Sequence, residues 1–392
     1  MIKGRVRKLA SVVALLLALT MALAACGGGG GSQPSNQPSQ GGGTQQPADA
    51  VYTIGYNTWG SGVPILDNFA NEIEVTLNVL GMRGTRASDD FSADRELQNM
   101  QNFIAAAVDG VNFQAAADPV LPQAAELLAK AEIPFVLNVF IAYDDDRAVI
   151  RAENPYYAGC TNSDLFFDGY VLGQSALRDG AKTAVLIGGN IGDNNMDFRS
   201  WGFRQSFVTE GGGVVLEEAR CTSPAESLQK ASDMLSAHRD ADCLYAFVGD
   251  FIPGVMSAMD NLGLEGMNVY ASCIDPVTAG YIKEGRIIEG NDGIGLASVI
   301  STTQLINYLD GHPILDPKDG LPAEFRTFAF IVNPENVDDY LSIFFHPDFS
   351  PITPDIVKSL MWRYNPDVSY QTYADLMANG LTLEMLLASH GR

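Results

Sequence analysis

Short apolar runs alternate along the chain with segments whose apolar residues recur at helical spacing. The runs are VYTIGY (51–56), VTLNVL (75–80), GVNFQA (110–115), PFVLNVF (134–140), KTAVLIGG (182–189), GVVLEEA (213–219), CLYAFVG (243–249), NVYASC (268–273) and RIIEGN (286–291). Between them, Leu97, Met100, Ile104 and Ala107 fall on one helical face, as do Leu121, Ala124, Ala125, Leu128 and Ala131. Continuously apolar strands alternating with helices predict an α/β protein with parallel sheets covered on both faces. The signals VDG, RDG and KEG stand where a helix gives way to the next strand. From about Pro334 only helical spacing remains, as at Val337, Tyr340, Leu341 and Phe344, then Ile356, Leu360 and Met361, then Leu383, Leu386 and Leu387. That much apolar surface predicts a helical C-terminal extension over 336–392, packed on the body.

The first residues follow a different pattern. Lys3, Arg5, Arg7 and Lys8 precede the apolar run LASVVALLLALTMALAA, which ends in small residues. A basic region, an apolar region and a small-residue cleavage site describe a secretory signal peptide over 1–25. The sequence LAAC resembles the lipobox of bacterial lipoproteins, which implies cleavage before Cys26 and lipidation of its sulfur. Residues 26–50 begin CGGGGGSQPSNQPSQGGG. With almost nothing apolar to bury, they read as a flexible, lipid-anchored tether of roughly 25–30 Å reach.

The remaining chain, from Val51, is long enough for two lobes of ordinary size. The formal net charge is −23, and removing the leader's four basic residues takes it to −27. Such acidity argues against nucleic acid and anionic lipid as partners, and its simplest role is solubility. Apart from Cys26 the cysteines are Cys160, Cys221, Cys243 and Cys273, without CxxC or Cys/His metal spacing. Free buried thiols are expected; in an exported protein a Cys160–Cys221 disulfide is the pairing to test first. Gly188-Gly189-Asn190-Ile191-Gly192 lacks dinucleotide-binding spacing and no GxxxxGK[ST] loop exists, so no cofactor is expected.

The order of segments carries a resemblance. YNTWGSG follows the first strand; VDGVNF…DPVLPQAAELLAKAEIPFVLNV, AGCTNSDLFFDGYVLGQSAL and GAKTAVLIGG…FRSWGFRQSF come next; DCLYAFVGDFIPGVMSAMDNLG and NVYASCIDPVTAGYIKEGRIIEGN close the series. Over about 51–335 the chain resembles the type I periplasmic substrate-binding proteins of ABC sugar importers, the ribose- and galactose-binding group. LacI-type regulators share these lobes, but the export signal and the lack of a helix-turn-helix set them aside. The resemblance implies two hinge-linked Rossmann-like lobes joined by three crossovers, closing on a small ligand. The expected first lobe is 51–160 plus about 291–312, and the second is 161–290 plus about 325–335.

Open α/β sheets bind ligands at the carboxyl ends of their strands. The candidate ligand contacts are therefore Asn57 and Trp59 after the first strand, and Asn138 and Phe140 after the fourth. From the second lobe come Arg199, Asp250 and Asp275, and Asn291 follows the strand expected to return to the first lobe. Such a set suits a hydroxylated, uncharged ligand, because carboxylates accept from hydroxyls, Arg and Asn donate to oxygens, and rings cover C–H faces.

The stretch IGGNIGDNNMDFRSWGFRQSF (187–207) tests these readings. Asp193-x-Asn195-x-Asp197 starts like a calcium loop, but the sixth and twelfth places hold Phe198 and Arg204 instead of Gly and Glu. No metal site is expected. A phosphate would meet Asp193 and Asp197 with only one arginine at hand. The resembled family implies that Arg199, three residues before Gly202-Phe203, faces the cleft; a structural ion pair with a nearby aspartate is the competing reading. Trp201 reads equally as core or stacking platform, Asp250 and Asp275 also as helix N-caps, and Asp144-Asp145-Asp146 as a solvated turn.

Asn138-Val139 and Gly249-Asp250 stand where the resembled sugar binders commonly carry Asp-Arg or Asp-Ser and Asn-Asp, and the AAAD loop after the third strand offers little polar. This points to a less hydroxylated ligand. The partners implied are a small molecule, an ABC permease and, through the lipid anchor, the membrane. A receptor component presenting an autoinducer-like or nucleoside ligand to a sensor is the alternative. No nucleophile–base pair, metal set or cofactor loop can be assembled, so no enzyme activity is expected.

Overall fold

The computed structural model describes residues 50–115, 120–139, 144–346 and 349–392. The signal-peptide and tether assignments, including Cys26, and Phe140 with most of the AAAD loop lie outside the described residues. The first lobe runs β1 (Thr53–Thr58), α1 (Pro64–Val79), β2 (Arg83–Ser88), α2 (Ala93–Ala105), β3 (Gly110–Phe113), α3 (Leu121–Lys130), β4 (Phe135–Val139), α4 (Asp144–Glu153) and β5 (Tyr157–Ser163). The second runs α5 (Leu165–Arg178), β6 (Thr183–Gly188), α6 (Asn194–Arg204), β7 (Val214–Arg220), α7 (Ser227–Ala237), β8 (Cys243–Ala246), α8 (Ile252–Leu262), β9 (Asn268–Ser272), α9 (Pro276–Lys283) and β10 (Glu289–Asp292). Then come α10 (Leu296–Leu309), β11 (Glu324–Thr327), β12 (Phe330–Val332), α11 (Val337–Phe344), α12 (Pro354–Ser359), α13 (Tyr370–Asn379) and α14 (Leu383–Ser389).

The strands form two sheets of the same design, ordered β11-β5-β4-β3-β1-β2 and β12-β10-β9-β8-β6-β7. All pairings are parallel except β12, which runs antiparallel to β10. The inner strands β3, β4, β5 and β8 are buried along their whole length, as helices on both faces require. In each sheet the order reverses at one strand, β1 in the first and β6 in the second, which is where such sheets open a crevice for ligands.

Three sequence expectations change. VTLNVL is not a strand: Leu66, Phe69, Ala70, Ile73, Thr76 and Leu77 are the buried stripe of α1, and 75–79 are its final turns. The second strand is instead Arg83–Ser88, an edge strand that buries too little to carry an apolar signal. β5 escaped notice for the opposite reason, since YAGCTNS is buried through small and polar residues. The acidic run expected as a solvated turn begins α4.

The chain crosses between lobes at Ser163–Leu165, Asp292–Leu296 and Thr327–Phe330. These crossovers are tied together: the Asp164 amide donates to the Thr327 carbonyl at 2.9 Å, and Ser163 Oγ donates to the Ile294 carbonyl at 3.2 Å. They also locate the lobe boundaries. β5 extends the first sheet to Ser163, and Asn291 lies within a strand of the second sheet, so the return to the first lobe begins only with α10. Residues 324–327 pair in the first sheet and 330–332 in the second.

Cys160, Cys221, Cys243 and Cys273 are free and buried. Cys160 sits in the first sheet and Cys221 just after β7 in the second, so the Cys160–Cys221 disulfide does not form.

Candidate functional site

On the first lobe, the strand ends are joined by a buried network. Asn57, at the end of β1, donates from Nδ2 to Asp89 at 2.5 Å and accepts from the Gln114 amide at 3.1 Å. Gln114 accepts in turn from the Trp59 amide at 2.9 Å, and Asn99 donates to the other Asp89 oxygen at 2.8 Å. Burial pushes the Asp89 carboxyl up to about 7, against the two amide donors that favour its charged form. Asn138 donates to Asn112, which donates to Thr302 at 2.9 Å. Two ends of this system stay open: Gln114 Nε2 and Asn138 Oδ1 are buried with no hydrogen-bond partner among the described residues.

The second lobe presents the same feature. Asp168 Oδ1, Asn195 Oδ1, Thr278 Oγ1 and Asn291 Oδ1 are likewise buried and unpartnered among the described residues. Asn291 donates from Nδ2 to the Asp168 carbonyl at 2.6 Å, which ties β10 to α5. Asp275 caps α9, accepting from the Thr278 amide at 2.6 Å, so the capping alternative holds for it. Asp250 does not cap α8; burial, with Asp275 nearby, raises its carboxyl to about 6.

Arg199 is 1% exposed and every guanidinium nitrogen is engaged: Nε with Asp168 at 3.2 Å, one terminal nitrogen with the Asn195 carbonyl at 3.2 Å, the other with Cys273 Sγ at 3.1 Å. The structure thus realises the ion pair rather than a free cleft-facing cation. The cause is close packing of α5 on α6, where a Cβ on Gly169 would stand 1.9 Å from the Arg199 carbonyl oxygen. In the same stretch Asp193 caps α6, and Asp197 pairs with Arg220 at 3.0 Å. Trp201 is 51% exposed, so it is not core; it meets Phe198 edge-on at 5.4 Å.

Between the lobes lies an apolar cluster. Trp59, Ile65 and Val139 of the first lobe belong to it with Leu165, Phe198 and Val248 of the second. Trp59 meets Phe91 edge-on at 5.8 Å. At the cleft ends of β4 and β9 the backbone is strained in matching fashion, Val139 at φ 63° and Cys273 at φ 62°. A β-branched residue in the left-handed region is an outlier, and such strain concentrates at ligand sites. Trp59, Asn57, Asn138, Asp250, Asp275 and Asn291 are therefore all found at carboxyl ends of strands; Gln114, Asp89, Asp168 and Phe198 were not foreseen. Gln114 was legible, being the first polar residue after the third strand, whereas Asp89 follows a strand with no apolar signal.

An open cavity of about 360 Å³ at the opposite ends of β6, β8 and β9 is lined by Asp179, Arg239, Asp242 and their neighbours. Its carboxylates serve the fold: Asp242 accepts from the Lys182 and Thr183 amides and Asp179 from the Tyr270 hydroxyl. Strand starts are not where such sheets bind ligands, so the interlobe cleft is the candidate site.

Comparison with known proteins agrees with this geometry. The arabinose-binding component of an ABC transporter from Shewanella sp. ANA-3 superposes with a TM-score of 0.65 at 15% identity, covering 74% of this chain and 94% of that one. A solute-binding protein from Actinobacillus succinogenes with bound D-allose gives 0.66 at 17%, covering 74% and 100%. A sugar-transport substrate-binding protein from Bordetella parapertussis gives 0.62 at 21%, covering 76% and 92%. No curated protein matches the chain by sequence. The family model described as periplasmic binding protein domain matches residues 54–290. The chain belongs to the periplasmic-binding-protein family, a family of extracytoplasmic solute-binding proteins.

Proposed function

We propose that this protein is a lipid-anchored solute-binding protein that captures a small, uncharged, partly apolar polar ligand, sugar-like in chemistry, between its lobes and delivers it to an ABC permease. The observation that carries the reading is the set of buried polar atoms on Gln114, Asn138, Asp168 and Asn291 with no hydrogen-bond partner among the described residues, spread over both lobes at the carboxyl ends of strands and, for Asp168, in the first turn of the helix that follows β5. Buried polar groups in native proteins are nearly always hydrogen-bonded, and hydroxyls lying between the lobes would satisfy both donors and acceptors. Arg199, whose charge would favour an acidic ligand, is spent on Asp168, while the carboxyls of Asp250 and Asp275 stand at the same strand ends and disfavour acidic ligands. Trp59 and Phe198 supply an apolar face. Asn57, Asn138, Asp250, Asp275 and Asn291 are the proposed contacts with Gln114, and Arg199 acts through Asp168 as a positioning residue.

A thermal-shift screen of neutral sugars, polyols and nucleosides tests the ligand class, because a ligand bound only by the folded state raises the melting temperature. For any hit, Asn138→Ala should weaken calorimetric affinity roughly ten- to hundred-fold, the loss of one or two hydrogen bonds. Binding of acidic sugars alone, or unchanged affinity in the variant, contradicts the proposal. Anchoring rests on the LAAC sequence: Cys26→Ser should move the protein from the detergent phase to the aqueous phase in cells, and equal partitioning removes the lipid anchor.

A further inference from the structure

The C-terminal extension does not pack on one lobe. It starts on the second, where α11 lies against α9. The Tyr340 hydroxyl, fully buried, is within hydrogen-bond reach of the Ile274 carbonyl at 2.7 Å and of the Asp292 carboxyl. Ile274 follows the strained Cys273 and Asp292 opens the second crossover, so this side chain braces two cleft segments from behind. Between Phe344 and Pro354 the chain passes to the first lobe. There Ser350 Oγ donates to the Glu72 carboxyl in α1, with both residues buried. Beyond it, α12 lies on α1 and α10, Asn307 donates to the Leu360 carbonyl at 2.8 Å, and Arg363 pairs with Asp310 at 2.6 Å. Finally α14 returns to contact α11, and His390 Nε2 lies 3.1 Å from the Ser350 carbonyl.

We infer that the extension is a fourth connection between the lobes, a strap anchored through Tyr340 on one side and Ser350 on the other, which restricts opening of the hinge. Rotation of one lobe away from the other must either part α11 from α14, where the two helices touch, or pull the Tyr340 or Ser350 hydroxyl from its buried partner. The interlobe arrangement is then set by the strap as well as by the solute, and its dependence on Tyr340 links the strap to the second-lobe wall of the cleft. This goes beyond the solute-binding proposal and holds whichever solute the cleft takes.

The test uses no ligand, so its failure leaves the solute-binding proposal untouched. Spin labels on Gln101→Cys in α2 and Lys230→Cys in α7, both exposed positions, report the interlobe distance in the full chain carrying Cys26→Ser, the thiols of Cys160, Cys221, Cys243 and Cys273 being buried. Tyr340→Phe and Ser350→Ala each delete one oxygen. The distance distribution of the parent should be narrow; each variant should broaden it toward longer distances, and the double variant most. Ser350→Ala alone keeps the test available if the double variant does not fold. Distributions of unchanged centre and width in the folded variants overturn the inference, even if their melting temperatures fall, because a merely structural role moves stability alone.

Discussion

At the scale of the residue, Arg199 shows how much a side chain's role depends on what the fold places beside it. Its spacing before Gly202-Phe203 brought it to notice, but Asp168, 31 positions earlier, decides what it does. Burial holds the Asp168 carboxyl up at about 6 although the Arg199 guanidinium favours its charge. Arg199→Ala leaves that carboxylate buried and unpaired, which should cost ~3–5 kcal/mol of stability at pH 8. At pH 5 the penalty should shrink, since an unpaired Asp168 takes up a proton and ceases to be a buried charge. Urea denaturation of the variant at the two pH values checks this; a loss below 1 kcal/mol on the order of a surface pair would mean the pair is not the anchor described. Arg199→Lys should recover little, because one ammonium cannot reach Asp168, the Asn195 carbonyl and Cys273 from one fork. Gln114 Nε2 and Asn138 Oδ1 tell the same story. The residues are named in the sequence, but that these two atoms are buried with no partner among the described residues is visible only in the packed structure.

At the scale of the element, the hydrophobic pattern located strands built of apolar runs and missed those built of polar or small residues. β4 and β8 are apolar runs in the middle of sheets, whereas β2 is a polar edge strand and β5 a buried one made of small and polar residues. Helix packing was less legible still. α5 and α6 approach at Gly169 and Gly202, where added Cβ atoms would stand 1.9 Å from the Arg199 and Phe166 carbonyl oxygens. Alanine favours an isolated helix over glycine by about 1 kcal/mol, so local propensity predicts that Gly202→Ala stabilises. The backbone clash decides otherwise: separating the helices disturbs the Arg199–Asp168 pair as well as the packing, and overpacking of this kind costs at least ~1–3 kcal/mol. Thermal melting of Gly202→Ala is expected below that of the parent, and a melting point at or above it would show that the helices have room to spare.

At the scale of the whole molecule, buried carboxyls set the pH at which the fold is most stable. Burial raises Glu72 to about 8, Asp89 to about 7, and Asp168, Asp250 and Asp292 to about 6. Each holds its proton more tightly folded than in the unfolded chain, where carboxyls titrate near ~4. The contribution is complete below that value and is lost as pH rises through the folded value, by up to about 1.4 kcal/mol per pH unit for each group. Stability measured by urea denaturation should therefore fall from pH 5 to pH 8, and Glu72→Gln, neutral throughout, should flatten the fall between pH 7 and 8. A flat profile in the parent contradicts the burial of these groups. At this scale the division between sequence and tertiary structure is also clearest. Alternation of apolar runs with helical segments determined the α/β class and the helical extension, because burying both faces of a parallel sheet writes itself into consecutive residues; the two lobes followed from chain length and the family resemblance. Strand-end chemistry determined the neighbourhood of the site, since the carboxyl end of a strand is defined by the strand itself. The tertiary structure alone decided that Asn291 and 324–327 belong to the sheets they do, that Arg199 is paired, and that the extension ties one lobe to the other. Those outcomes are contacts between residues tens to hundreds of positions apart, for which local periodicity holds no information.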